Sequence, residues 1–228
     1  MSDREDPALN RDDINRAGFW TEPLKPRIFL IPDFATKSEL AALTREIETF
    51  NEDDWSRRYL DEMRKNALQK FGRDDIDNLV EEGLLEVTDT WADKNVSVGL
   101  EDLMETFHKR ASRIFDQVGP LDVTGFTVYQ RMYEGSELKA HYDQYSDKLV
   151  EYAAVLYIND DYNGGEVFFS KFGLELKPPA GSLIIFPGTE KYEHGVRPVQ
   201  SGPVRYVIPT FIKTAHPDGA MSGWGDFG

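Results

Sequence analysis

Cysteine is absent from the 228 residues, which removes disulfides and thiolate metal ligands and suits a reducing compartment. No run approaches the roughly 20 apolar residues of a membrane span, so a spanning helix is not expected. Basic residues are the minority, 26 Lys and Arg against 41 Asp and Glu, and the net charge of −15 argues against a nucleic-acid partner and against an anionic membrane surface. Histidine is scarce as well: with four in the chain, any imidazole chemistry falls to His108, His141, His194 or His216. The opening Met1-Ser2-Asp3-Arg4-Glu5-Asp6 has no apolar stretch, so no secretion signal is expected and a cytoplasmic location is.

What remains is ordinary globular material. Hydrophobic residues at 40% and aromatics at 12% suffice for one core, and a chain of this length suits a single domain. We divide it into an N-terminal arm (1–26), a strand with supporting helices (27–119), a β-rich core (120–213) and a flexible tail (214–228). The core holds 9 of the 26 basic and 12 of the 41 acidic side chains, so the excess acid lies mainly in the N-terminal half. That is a solvated face or an attraction for a basic peptide or protein.

Local patterns fill in this outline. Pro7, Pro23 and Pro26 interrupt a polar opening, which predicts a surface arm with Phe19-Trp20 as its pin. Arg27 to Ile31 reads as a short buried strand closed by Pro32-Asp33. Thr36-Lys37-Ser38-Glu39 is a capping box, with Leu40, Leu43, Ile47 and Phe50 following at helical spacing. Asp54 to Phe71 suggests an exposed helix stopped by Gly72, and Ile76, Leu79 and Val80 a shorter one before Gly83. As a block, residues 51–94 could be a lid, a dimer contact or simple packing. Leu100, Leu103, Met104, Phe107, Ala111, Ile114 and Val118 share a period near 3.6 and predict a long amphipathic helix, with His108 on its margin as a structural residue. After Gly119-Pro120 the pattern alternates, with strands expected near 123–133, 138–143, 150–158, 166–170, 173–177, 182–186, 195–199 and 204–213. The fold class is α+β, mainly β: a double-stranded β-helix, or jelly roll, with N-terminal supporting helices.

Chemistry concentrates on Leu138-Lys139-Ala140-His141-Tyr142-Asp143. As a strand, its period of two puts His141 and Asp143 on one face, roughly 7 Å apart along the chain. His194, beyond several strands, is a third candidate ligand, whereas His216 in the polar tail is not. Two histidines and one carboxylate form the facial triad of non-haem Fe(II) oxygenases, which leaves one side of the iron open. Arg205 opens the last apolar strand, and a guanidinium there is expensive to bury unless an anion pairs with it. A dicarboxylate would be such an anion.

At these residues the chain resembles a known family. From about Asp122 to Ile212 it is similar to the catalytic core of the 2-oxoglutarate- and Fe(II)-dependent dioxygenases, nearest the prolyl 4-hydroxylase-like group. The similarity rests on Tyr129 to Gly135, His141-Tyr142-Asp143, Leu156 to Asp161 followed by Gly164-Gly165-Glu166, Ala180 to Phe186, and His194 to Arg205. It implies Fe(II) on His141, Asp143 and His194, 2-oxoglutarate as cosubstrate anchored by Arg205 with hydrogen bonds from Tyr133 and Tyr157, and ascorbate as a candidate reductant. It further implies molecular oxygen and hydroxylation of a prolyl or other amino-acid side chain in a protein, peptide or free amino acid. An intact Asp143 favours hydroxylation over halogenation, for which related enzymes carry a small residue there. The sequence departs from the pattern in three places: Arg205 stands eleven positions after His194, leaving Arg197 as a fallback; Pro209 interrupts the last strand; and Phe211 stands where the group often has Trp, so the prolyl substrate does not transfer directly. The alternative is a jelly-roll module that binds a metal or ligand without catalysis.

Overall fold

A computed structural model describes residues 9–19, 21–58, 91–96, 98–116, 121–145 and 147–214. The helices expected between 59 and 83, Trp20, and the tail with His216 lie outside the described residues. Three α-helices fall within them: α1 Arg11–Arg16, α2 Lys37–Ile47 and α3 Glu101–Phe115. The strands are β1 Pro23–Lys25, β2 Ile28–Ile31, β3 Ser56–Arg58, β4 Trp91–Asn95, β5 Leu121–Val123, β6 Val128–Met132, β7 Leu138–His141, β8 Val150–Tyr157, β9 Asn163–Gly164, β10 Val167–Phe169, β11 Leu174–Leu176, β12 Leu183–Pro187, β13 His194–Val196, β14 Val199–Ser201 and β15 Arg205–Thr214.

The strands form a major sheet in the order β1-β2-β12-β8-β15-β6-β4-β3, with β5 on the far end of β15, and a minor sheet in the order β11-β10-β13-β7. This is the double-stranded β-helix expected from the alternating pattern. Period two sorts the residues of the major sheet. Tyr152, Ala154 and Leu156 of β8, Leu183 and Ile185 of β12, and Ile208 and Ile212 of β15 join a core with the three helices. Their neighbours Ala153, Tyr157, Ile184, Phe186 and Val207 face the minor sheet and pack with Val167 and Phe169. A strand buried on both faces must be apolar throughout, which explains the unbroken Leu183-Ile184-Ile185-Phe186.

The helices take their places for reasons visible in the sequence. Thr36 and Glu39 make the expected reciprocal cap of α2, and Leu43 and Ile47 are its buried face. Helix α3 buries Met104, Phe107, Ala111, Ile114 and Phe115, and Phe107 meets Phe34 and Phe126 at 5.8 and 5.7 Å between ring centres. Arg110 of α3 forks onto Glu39 of α2 at 2.7 and 2.9 Å, which locks the two helices together.

Three expectations change. The opening, expected as a surface arm pinned at Phe19-Trp20, docks more fully over residues 9–19: Phe19 stacks on Phe34 at 5.6 Å between ring centres, Asn10 caps α1, Leu9 and Ile14 are buried, and the Leu9 N–H donates to Tyr152 Oη at 3.0 Å. A polar, proline-bounded segment can still dock through two apolar residues. Residues 56–58 begin no helix; they form β3 on the edge of the major sheet, paired to β4. The strand expected over 123–133 is two, β5 and β6, separated by residues 124–127. Pro209 is accommodated in the middle of the sheet for that reason. On this side β15 pairs with β6 over Arg205–Val207 and with β5 over Ile212–Thr214, so the proline lies opposite the gap, where no ladder donor is required.

Candidate metal centre

Strand pairing creates the site. In the β7–β13 ladder His141 and His194 are direct partners, which brings their ring centres to 4.5 Å. Gly195 permits this approach, because a Cβ there would fall 2.4 Å from the Leu138 carbonyl oxygen and force the two strands apart. Asp143 arrives differently from the sequence expectation. Strand β7 ends at His141, and Asp143 opens a single 3-10 turn, Asp143–Tyr145. The turn, rather than strand alternation, swings the carboxylate back: Asp143 Oδ1 lies 3.9 Å from His141 Nε2 and Asp143 Oδ2 lies 4.0 Å from His194 Nε2. All three ligand atoms fall within 4.8 Å of one another.

Both imidazoles are held alike. His141 Nδ1 lies 2.9 Å from the Lys139 carbonyl and His194 Nδ1 lies 3.0 Å from the Tyr192 carbonyl, each two residues back. A carbonyl only accepts, so the proton sits on Nδ1 and the Nε2 lone pair faces Asp143. Burial pushes both histidines below their ordinary range, with the neighbouring His194 adding to the effect on His141, so both are neutral at pH 7. Burial likewise raises Asp143. His194 is walled by Phe186 and Phe169, at 4.4 and 5.8 Å between ring centres, while the His141 side chain is 35% exposed and marks the mouth of the site.

Arg205 stands at the start of β15, on the inward face with Val207, and is 2% exposed. No carboxylate among the described residues pairs with it. Nη1 donates to Met132 Sδ at 3.4 Å, Nη2 donates to Tyr157 Oη at 3.2 Å, and Nε is buried without a partner among the described residues. Tyr157 belongs to the same apolar cluster as Phe169 and Phe186, the two rings against His194. One barrel interior therefore runs from the triad to the guanidinium.

The other candidates are placed elsewhere. Tyr133 follows Met132 and points to the opposite face; its hydroxyl donates to Glu52 at 3.3 Å and its ring stacks on Arg131. Arg197 is exposed, ion-paired with Glu175 at 2.8 Å and laid over Phe168 at 4.1 Å. Two residues beside Arg205 escaped the sequence reading: Met132, its partner in the β6–β15 register, and Tyr162, buried in a cluster with Met132 and Val196. Tyr162 stands among Asp160, Asp161, Asn163 and Gly164, where turn chemistry masks an inward aromatic.

Two neutral imidazoles and a carboxylate thus converge within the jelly roll, a donor set that suits a non-haem Fe(II) site. Residues 125–213 match the model of the 2OG-Fe(II) oxygenase superfamily. Over 57 residues the chain is 37% identical to prolyl 3-hydroxylase 2 of Mus musculus, a stretch that is 23% of this chain and 8% of that protein. The fold is similar to the viral collagen prolyl hydroxylase of Paramecium Bursaria Chlorella virus-1, with a TM-score of 0.58 and 15% identity over 82% of this chain and 96% of that one. It is also similar to a prolyl hydroxylase of Trichoplax adhaerens, solved with a hypoxia inducible factor peptide fragment, with a TM-score of 0.60 and 16% identity over 88% and 87% of the two chains.

Proposed function

We propose that this chain is an Fe(II)- and 2-oxoglutarate-dependent hydroxylase acting on a prolyl or other amino-acid side chain, with release of succinate and carbon dioxide. The observation that carries the reading is the pairing, inside one barrel, of three converging ligand atoms with a buried guanidinium that has no carboxylate partner among the described residues. The donor set fits the metal: two nitrogens and one carboxylate suit Fe(II) with open positions. Bound there, Fe(II) and 2-oxoglutarate supply a C–H oxidation coupled to decarboxylation of the keto acid.

The protein's part is to bind, orient and keep water out. His141 and His194 present lone pairs fixed by the Lys139 and Tyr192 carbonyls, and Asp143 contributes the negative charge. Arg205 and Tyr157 hold the distal carboxylate, for which a planar fork is the matching shape. Phe169, Phe186, Ile184 and Val207 line the interior with apolar surface. The substrate side chain enters past His141. Likeness to prolyl 3-hydroxylase 2 favours a prolyl residue within a peptide, and the net charge of −15 favours a basic one.

The test is anaerobic titration of Fe(II) and 2-oxoglutarate, followed by mass spectrometry of proline-containing basic peptides after oxygen is admitted. A visible charge-transfer band and a gain of one oxygen on a peptide are expected. A silent titration would instead make the barrel a non-catalytic module.

A further inference from the structure

Tyr162 is 1% exposed, yet its hydroxyl is buried with no hydrogen-bond partner of ordinary geometry among the described residues, Arg205 being the donor that acts on it. A phenol in that position forfeits its hydration without return, which costs about 1–3 kcal/mol. It is not alone. Arg205 Nε is buried and unpartnered, and Tyr157 Oη receives the Arg205 Nη2–H, so that its own proton has no acceptor among the described residues. Three unspent donors therefore lie together: the Arg205 charge and the Tyr157 phenol both act electrostatically on Tyr162.

Gly165 shows that the cluster is built. Its φ of +68° is the left-handed region that glycine favours, and a Cβ there would meet the Tyr162 ring at 2.9 Å and Arg205 Cδ at 3.3 Å. The backbone thus presses the tyrosine and the arginine stem together from one side. Lys177 also holds the Tyr162 backbone, its Nζ donating to the carbonyl at 2.8 Å and lying 5.2 Å from the ring centre. Burial pushes the phenol up to about 12, against the pull of Arg205, so it stays a donor at neutral pH. One guanidinium N–H and two phenolic O–H groups without acceptors among the described residues, beside a positive charge, suit an anion.

We propose that the Tyr162 hydroxyl is a third donor to the distal carboxylate of the cosubstrate, beside Arg205 and Tyr157. This rests on the 2-oxoglutarate reading above and adds to it a binding residue outside the motifs that suggested that reading. With Tyr162 in place, the carboxylate end is recognised by one charge and two phenols, and selectivity for a dicarboxylic keto acid is shared between them.

The experiment is anaerobic titration of the Fe(II)-loaded protein with 2-oxoglutarate and, separately, with 2-oxovalerate, which has the same chain length and no distal carboxylate. Tyr162→Phe keeps the ring and its packing. It is expected to weaken 2-oxoglutarate binding at least about tenfold, since a hydrogen bond to a charged group is lost, and to leave both 2-oxovalerate and Fe(II) affinity unchanged. Unaltered 2-oxoglutarate binding overturns the proposal, as does equal weakening of both keto acids, which would mark a purely structural role. Arg205→Gln separates the layers. If it weakens 2-oxoglutarate while Tyr162→Phe does not, only Tyr162 is misassigned; if neither variant matters, the cosubstrate reading itself fails.

Discussion

The two ends of the barrel interior are opposites. At the mouth, His141, His194 and Asp143 aim lone pairs at one point; farther in, Arg205, Tyr157 and Tyr162 bring N–H and O–H groups together. Among the described residues, no carboxylate pairs with Arg205 at the inner end. The helix-backed side of the major sheet differs from both: Phe34, Phe107 and Phe126 interlock there in mutual ring contact, and the half-buried cation of Arg110 has its carboxylate. One layer of the molecule is complete in itself; in the other, the proposed function assigns a metal to the outer end and a carboxylate to the inner one. On the proposed function, that contrast separates residues that hold the fold from residues that work.

Removing a ligand from the mouth tests it most severely. His141→Ala, Asp143→Ala or His194→Ala is expected to abolish Fe(II) binding by equilibrium dialysis and succinate production altogether, while far-UV dichroism stays that of the parent. In the complete layer the result should reverse. Phe107→Ala, at a fully buried position between two rings, is expected to lower the unfolding free energy by about 3–5 kcal/mol in urea melts. Its 2-oxoglutarate affinity, measured below the transition, should be unchanged.

Arg205→Met sharpens the comparison because its two effects have opposite signs. Affinity for 2-oxoglutarate should fall on the order of a hundredfold, as expected when one side of a buried charge contact is removed. The protein without cosubstrate should become more stable by about 1 kcal/mol or more, since an uncompensated buried cation is exchanged for an apolar side chain of similar length. Calorimetry of parent and variant, each with and without 2-oxoglutarate, reads both.

The smallest effect expected is at the α2–α3 tie. The Arg110 fork holds the Glu39 carboxyl below its ordinary 4.5, against the opposing effect of burial. A depressed carboxylate stabilises the fold above its unfolded value and loses that contribution as pH falls through the folded one. Glu39→Gln is therefore expected to cost about 1 kcal/mol at pH 7 and progressively less below about pH 4.5, where the parent loses the same contribution. Urea midpoints across that range would show the two proteins converging.

Much of this could be read in advance. The capping box at Thr36 and Glu39, the apolar stripe of α3 and the alternating strands from 150 onward are short-range patterns set by backbone geometry, and they appear where expected. The three candidate ligands were legible because few residue types bind iron and His141 and Asp143 lie close in sequence. What was not legible depended on neighbours distant in the chain. Tyr133 and Tyr162 are both tyrosines near glycines, and nothing local says that one faces Glu52 while the other faces Arg205. Arg205 is the expected anchor and Arg197 the fallback, and the sheet register sets the first inside and the second out.

By itself, then, the sequence determined which groups could do chemistry and which stretches would be strand or helix, because side-chain identity and hydrophobic period are properties of a residue and its near neighbours. Tertiary structure alone decided that His141 lies opposite His194, that a 3-10 turn rather than strand alternation delivers Asp143, and that Tyr162 joins Arg205. Those are matters of register and closure, fixed by contacts between segments tens of residues apart.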